Sequence, residues 1–201
     1  MILVVCALPA ELRYLAKRSS VEIFACGVGP VEAALATARK LALERYDAVV
    51  NAGIAGAFRG HARIGEALLV VEETLADLGL EGGAPLTLPG GATLVECERA
   101  NAKLVARCAD AGLPTGRGIT VSQVTTTAAT AERLALRYGA HIESMEGFSV
   151  LRAAAVAQVP ALEVRGISNY VGDRDKSEWD FTAGARAAAA ALDAVLDRLS
   201  P

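Results

Sequence analysis

The chain has 201 residues, 53% hydrophobic and 21% charged, which excludes a disordered chain and supplies enough material for a substantial core. Its net charge of −3, spread over both signs with no block of Lys or Arg, excludes an electrostatic footprint for DNA or RNA. No apolar run reaches the ~18 uncharged residues of a membrane span, and the short apolar opening 1–8 lacks a basic leader, so a soluble, cytoplasmic protein with no membrane or nucleic-acid partner is expected.

Apolar runs alternate with helical patterns along the chain. Residues 2–7 read as a buried strand, and 9–17 as a helix with Pro9 in its first turn and Glu11 close behind. Residues 21–26 form the next strand, 27–30 a Gly-rich turn, and 31–44 an Ala-rich helix. A short strand over 47–51 is broken by Gly53-Ile54-Ala55-Gly56, and 67–72 is strand-like. Residues 76–89, rich in Gly, Leu and Pro, read as loop. A helix is expected over 100–111, ending at Gly112, then a strand over 117–122 and a helix over 128–138 closed by Gly139. Residues 142–143 form a short strand entering a helix over 146–158; 161–168 is a strand, and the last helix covers 182–199. This alternation predicts an α/β fold, a three-layer α/β/α arrangement around a mostly parallel central sheet. No linker, charge run or repeat divides the chain, so a single domain over 1–201 is expected.

In an open α/β sheet, ligands sit where strands finish and loops begin. Those loops carry Glu11, Gly27-Val28-Gly29, Asn51 to Gly56, Ser122 to Thr127, Glu143 to Glu146, and Ser168-Asn169. The Gly27-x-Gly29 turn invites a dinucleotide reading, but Glu32 stands where the third glycine belongs, and an acid there repels a pyrophosphate. A tight turn accounts for both glycines. The small residues of 51–56 suit either a tight turn or a backbone brought close to a ligand. Glu143 and Glu146 fit helix caps equally with carboxylates that grip two vicinal sugar hydroxyls. Asn169 is a turn residue or an amide that reads a purine edge.

Cys6, Cys26, Cys97 and Cys108 show no metal-ligand spacing, and Cys6 and Cys26 lie in apolar strands, where a small buried thiol is expected. With His61 and His141 as the only histidines, neither a metal site nor a Ser-His-Asp triad is expected.

Five segments occur in order: Cys6 to Leu12, Gly27 to Ala34, Asn51 to Gly56, Ser144 to Gly147, and Val164 to Asn169. Together they resemble the succession seen in the methylthioadenosine/adenosylhomocysteine nucleosidases and their relatives in the nucleoside phosphorylase/hydrolase superfamily, over almost the whole chain. The resemblance implies a nucleoside phosphorylase-like fold and a set of roles. Glu11 matches the acid that activates the attacking water. Met145 and Glu146 match the ribose-binding pair. Ala55 and Gly56 match a small-residue loop at the active site. Ser168 and Asn169 match a Ser-Asp pair beside the base, with Asn replacing Asp here. An amide suits a 6-oxopurine better than adenine. The futalosine hydrolases, which release hypoxanthine, resemble this chain in Glu143 to Gly147 and in Ile167 to Arg174. They imply hydrolysis of futalosine to hypoxanthine and dehypoxanthine futalosine, on the futalosine route to menaquinone.

Phosphorolytic relatives carry an Arg-bearing phosphate loop after the first strand, where this chain has Ala7 to Glu11, so hydrolysis is expected over phosphorolysis. Asn169 receives the departing base but, as an amide, cannot deliver a proton as an acid. Asp173 is a candidate for that delivery, although an acid in such a loop is ordinarily a solvated surface residue; Arg13 is read as surface. The resemblance implies no cofactor, a small nucleoside as ligand, and a homodimer or higher homo-oligomer. Another purine nucleosidase, acting on methylthioadenosine, adenosylhomocysteine or inosine, and a non-catalytic nucleotide-binding protein using the Gly27–Gly29 turn are the alternatives.

Overall fold

A computed structural model describes all residues except 81–85, 87, 174, 200 and 201. Part of the loop read over 76–89, and Arg174, therefore lie outside the described residues.

The first strand, β1 (Ile2–Cys6), is apolar throughout and buried on both faces. Val4 and Cys6 pack toward one layer of helices, while Leu3 and Val5 pack toward the other. Each such aliphatic contributes about 1.5–3 kcal/mol on burial, which fixes β1 inside the sheet rather than at its edge. It pairs in parallel with β2 (Val21–Ala25) on one side and β3 (Ala48–Ala57) on the other.

The segment between β1 and β2 departs from expectation. The helix expected over 9–17 is only a 3-10 turn, Pro9–Leu12. Glu11 folds its carboxylate back onto the Leu8 N–H instead of continuing a helix. The chain then has to return to meet Ile2 at Val21, and Arg18 is tied on the way by Asp193 and Asp197.

Strand β3 also differs. The Gly- and Ala-rich run read as its break is its second half, so the strand spans ten residues. It continues because β8 (Ala161–Tyr170) runs alongside and supplies backbone partners along its length. β8 in turn pairs antiparallel with β4 (Ala67–Leu75), β4 pairs in parallel with β6 (Thr115–Thr120), β6 with β7 (Ile142–Ser144), and β7 antiparallel with the end of β3. The sheet therefore closes on itself through these five strands. A short strand not foreseen in the sequence, β5 (Cys97–Arg99), adds to β4. Among the described residues the sheet has eight strands and is mixed, with parallel pairings more numerous than antiparallel ones.

Helices cover both faces, as the three-layer reading expects. On one side lie α1 (Pro30–Leu43) and α4 (Gly147–Val156), sharing a core with Leu3, Val5 and Val49. On the other lies α5 (Phe181–Leu199), beside the short α2 (Ala102–Arg107), over Val4, Val50, Leu162 and Val164. A fifth helix, α3 (Ala128–Tyr138), starts at the Thr127 cap, ends at left-handed Gly139, and packs on Ile119 and Val121. The approach of α5 to β8 depends on Gly166 and Gly184. A Cβ on Gly166 would run into the Gly184 carbonyl, and one on Gly184 would lie 2.9 Å from the Ser168 Cβ. This contact seats the end of β8, where the candidate site begins.

Candidate active site

Consecutive strand residues ordinarily point to opposite faces. Ser168 and Asn169 escape that rule through a bulge. Ala55 pairs with Ile167 but Gly56 pairs with Asn169, which leaves Ser168 as the extra residue and turns both side chains into one cleft. Ser168 Oγ donates to Asn169 Oδ1 at 2.8 Å, and Asn169 Nδ2 donates to the Tyr170 carbonyl at 3.2 Å. Each end of the amide keeps one further hydrogen-bonding site. Gly56 leaves room for this amide, since a Cβ there would lie 3.0 Å from Asn169 Nδ2.

Glu11 reaches the same cleft from the 3-10 turn. Its Oε2 accepts from Leu8 N at 3.0 Å and its Oε1 from Ile54 N at 3.2 Å. Burial raises its pKa above the usual carboxylate value, and the Arg165 guanidinium and these two N–H groups offset that only in part.

Met145 and Glu146 lie between β7 and α4. Glu146 occupies the cap position of α4, yet its side chain does not cap the helix. Instead Oε1 accepts from Gly29 N at 3.0 Å, and Oε2 stands 3.8 Å from Arg165 Nη1. The helix's first N–H groups are met by others: Gly147 N donates to Ser144 Oγ and Phe148 N to Thr120 Oγ1. Gly29, at φ +94°, thus spends its N–H on Glu146 rather than on a phosphate.

The resulting cleft holds about 230 Å³ and is lined by Glu11, Ala55, Gly56, Met145, Glu146, Ser168 and Asn169 together. The seven residues that the resemblance matches to site roles all meet here. Sequence reasoning missed its apolar mouth, formed by Leu8, Val28, Val124, Trp179 and Phe181. Trp179 and Phe181 meet edge to face with ring centroids 5.7 Å apart. Glu143 also faces the cleft, and burial raises its pKa. Its carboxylate accepts from Thr125 N and Oγ1 at 2.9 and 2.5 Å, which holds the 122–127 loop at the cleft.

Arg165 was missed as well, although it sits inside a quoted motif. It is 1% exposed, and its Nη1 donates to the Ile54 carbonyl at 3.3 Å. A Cβ on Gly53 would fall 2.9 Å from both Arg165 Nη1 and Glu11 Oε1, so the glycine is what lets these two groups share one space. Asp173 is engaged elsewhere, in a two-oxygen contact with Arg59 at 2.9 and 3.0 Å. Arg13 is exposed and donates to Thr182. Burial pushes the Cys6 thiol up to about 12 and that of Cys26 to about 11, so both remain neutral packing groups. Among the described residues no His, Cys, Asp or Glu cluster is arranged to hold a metal ion, and no helix is long and apolar enough to cross a membrane.

Residues 2–200 match the family model described as the phosphorylase superfamily. The futalosine hydrolase of Streptomyces coelicolor is 43% identical over 190 residues, covering 90% of this chain and 78% of that protein. That of Thermus thermophilus is 41% identical over 160 residues, covering 76% and 71%. Among solved structures, the native futalosine hydrolase of Helicobacter pylori strain 26695 superposes with a TM-score of 0.82 at 18% identity, over 98% of this chain and 97% of that one. The methylthioadenosine/adenosylhomocysteine nucleosidase of Colwellia psychrerythraea 34H, in complex with adenine, does so with a TM-score of 0.82 at 20% identity, over 98% and 95%. At such identities the structures speak for the fold, and the two curated relatives for the family.

Proposed function

Because the chain belongs to the phosphorylase superfamily and, within it, to the futalosine hydrolases, we propose that its cleft hydrolyses the N-glycosidic bond of futalosine, releasing hypoxanthine and dehypoxanthine futalosine on the route to menaquinone. The observation that carries this reading is the convergence of Glu11, Glu146 and Asn169 on one cleft from three separate parts of the fold.

Cleavage of an N-ribosidic bond passes through an oxocarbenium-like sugar, and each group has a task in it. Glu11 orients and deprotonates the water that attacks the anomeric carbon. A carboxylate with a raised pKa is a stronger base than an ordinary glutamate, and burial supplies that rise. Glu146 holds the vicinal ribose hydroxyls and places negative charge beside the developing cation. The Gly29 N–H fixes its carboxylate while leaving lone pairs for the sugar. Met145 packs on the ribose, and Ala55 and Gly56 keep the wall low enough for the nucleoside to enter. As the bond to the sugar breaks, the purine keeps the electron pair and takes a proton at N7 from solvent, while the proton that Glu11 took from the attacking water returns to solvent. Asn169, steadied by Ser168, meets the resulting N7–H and O6 edge of hypoxanthine with one acceptor and one donor.

The same groups favour water over phosphate. Glu11 puts a carboxylate at the position of the nucleophile, where a phosphate dianion is repelled. Apart from these proton exchanges with solvent, each step is carried by side chains of this chain, acting as one nucleosidase domain over 1–201 in the cytoplasm, within a homodimer or higher homo-oligomer. The test is turnover of futalosine, methylthioadenosine and inosine, each with and without phosphate. Futalosine should be the preferred substrate and phosphate without effect. Preference for methylthioadenosine would transfer the chain to the adenine-releasing nucleosidases.

A further inference from the structure

Glu163 and Arg165 stand two residues apart on β8 with their side chains at 0% and 1% exposure. Glu163 Oε1 accepts from Arg165 Nε at 2.7 Å. Held by that edge, the guanidinium turns Nη1 toward the Ile54 carbonyl and the Glu146 carboxylate, against the space that Glu11 also enters beside Gly53. Glu163 does not line the cleft, and it touches none of the groups assigned to the sugar, the water or the base except through Arg165.

The charges around Arg165 do not balance if every acid ionises. One guanidinium faces Glu11 from the 3-10 turn, Glu146 from the β7–α4 junction, Glu163 from its own strand, and Glu73 from β4, with the neutral thiols of Cys6 and Cys26 nearby. Glu73 and Glu163 converge at the start of α4. A Cβ on Gly147 would lie 2.5 Å from Glu73 Cδ and 2.7 Å from Glu163 Oε1. Two carboxylates so close do not both ionise. The direct contact with Arg165 assigns the charge to Glu163. The proton falls to Glu73, which is held by the Thr120 hydroxyl at 2.7 Å and, among the described residues, has no cation in contact.

We propose that Glu163 is a positioning residue of the hydrolytic site: its grip on Arg165 Nε fixes the guanidinium between Glu11 and Glu146, and its charge balances that guanidinium so that Glu11 stays basic enough to take a proton from water. The inference rests on the reading of Glu11 as the base. An unbalanced guanidinium stabilises the Glu11 carboxylate and weakens it as a base. Losing the grip also leaves the guanidinium less firmly oriented between the two acids, where it otherwise holds them in place.

The test is the pH dependence of kcat/KM on futalosine for wild type, Glu11→Gln, Glu163→Gln, Glu163→Asp and Glu73→Gln. Glu11→Gln should lose the acid limb. Glu163→Gln should move that limb down by about one pH unit or more, with kcat falling about tenfold or more and KM changing less. Glu73→Gln, which replaces a neutral acid by a neutral amide, should leave the limb in place. Glu163→Asp keeps the charge but withdraws it from Nε, so the limb should stay while kcat falls. A Glu163→Gln limb at the wild-type position, with the limb still lost in Glu11→Gln, overturns the inference and leaves the Glu11 reading standing. If Glu163→Gln does not fold, a displaced limb or an undiminished kcat in Glu163→Asp overturns it. An acid limb that survives Glu11→Gln overturns the reading of Glu11 as the base.

Discussion

Gly29 donates its backbone N–H to Glu146 Oε1 at 3.0 Å, tying the turn after β2 to the head of α4 across 117 residues of sequence. The turn can do so because Gly29 adopts φ +94° and ψ 162°, a conformation almost closed to residues with a side chain. Gly29→Ala has open space around the new Cβ, so its whole effect comes from the backbone. It should cost about 1–3 kcal/mol of stability and raise KM for nucleosides by releasing Glu146. Thermal melting and steady-state kinetics check both. An alanine variant with wild-type Tm and KM would show that the tie does not matter.

Glu11→Gln keeps the size of the side chain and removes the base. Its kcat should fall by about 10²–10⁴, while substrate binding survives. The pH dependence follows from the sign of the shift. Burial raises the Glu11 pKa, and the base must be deprotonated to act, so activity should fall on acidification through a pH above the usual glutamate value. Near wild-type turnover in the variant would reduce Glu11 to a residue that caps the Leu8 N–H.

Asn169→Asp alters the base edge. In the wild type the amide donates to the Tyr170 carbonyl and accepts from Ser168 Oγ. A carboxylate keeps the second contact and loses the first, at a cost of about 1–3 kcal/mol in stability. It also replaces the donor offered to O6 by an acceptor suited to a 6-amino group. The kcat/KM ratio for matched hypoxanthine and adenine nucleosides should therefore move toward adenine. An unchanged ratio would show that Asn169 does not read the base.

Glu73 is fully buried, and its pKa is pushed well above the usual carboxylate value, first by desolvation and then by Glu163. A group that binds its proton more tightly folded than unfolded stabilises fully below its unfolded value, about 4.3 for a glutamate. That stability is lost as pH rises toward the folded value. Glu73→Gln removes the titration, so its melting temperature should fall less than that of wild type between about pH 5 and about pH 8. A steeper fall in the variant would mean that Glu73 is ionised in the folded protein.

The layers of this fold were legible because Leu3, Val5, Val4 and Cys6 alternate between two helical faces, a pattern written directly in the sequence. The site was legible in part, since small residues and acids at strand ends mark places where ligands meet loops. The bulge at Ser168 was not legible, because it arises from the register of β8 against β3, two strands distant in the chain. Nor was the continuation of β3 through Gly53 to Gly56, where local turn propensity yields to pairing with β8. Glu163 and Arg165 did carry a signal: two opposite charges at strand spacing inside the otherwise apolar run 161–167, where an isolated charge costs too much to bury and a pair is implied. The Trp179–Phe181 wall gave none, because two aromatics before and at the start of a helix read equally well as surface.

The most direct measurement is identification of the products formed from futalosine in phosphate-free buffer, followed by repetition with added phosphate. Free hypoxanthine and the unphosphorylated sugar product should appear in equal amounts, at a rate that phosphate does not raise. Absence of hypoxanthine, or a sugar 1-phosphate as the main product once phosphate is present, would contradict hydrolysis by Glu11-activated water.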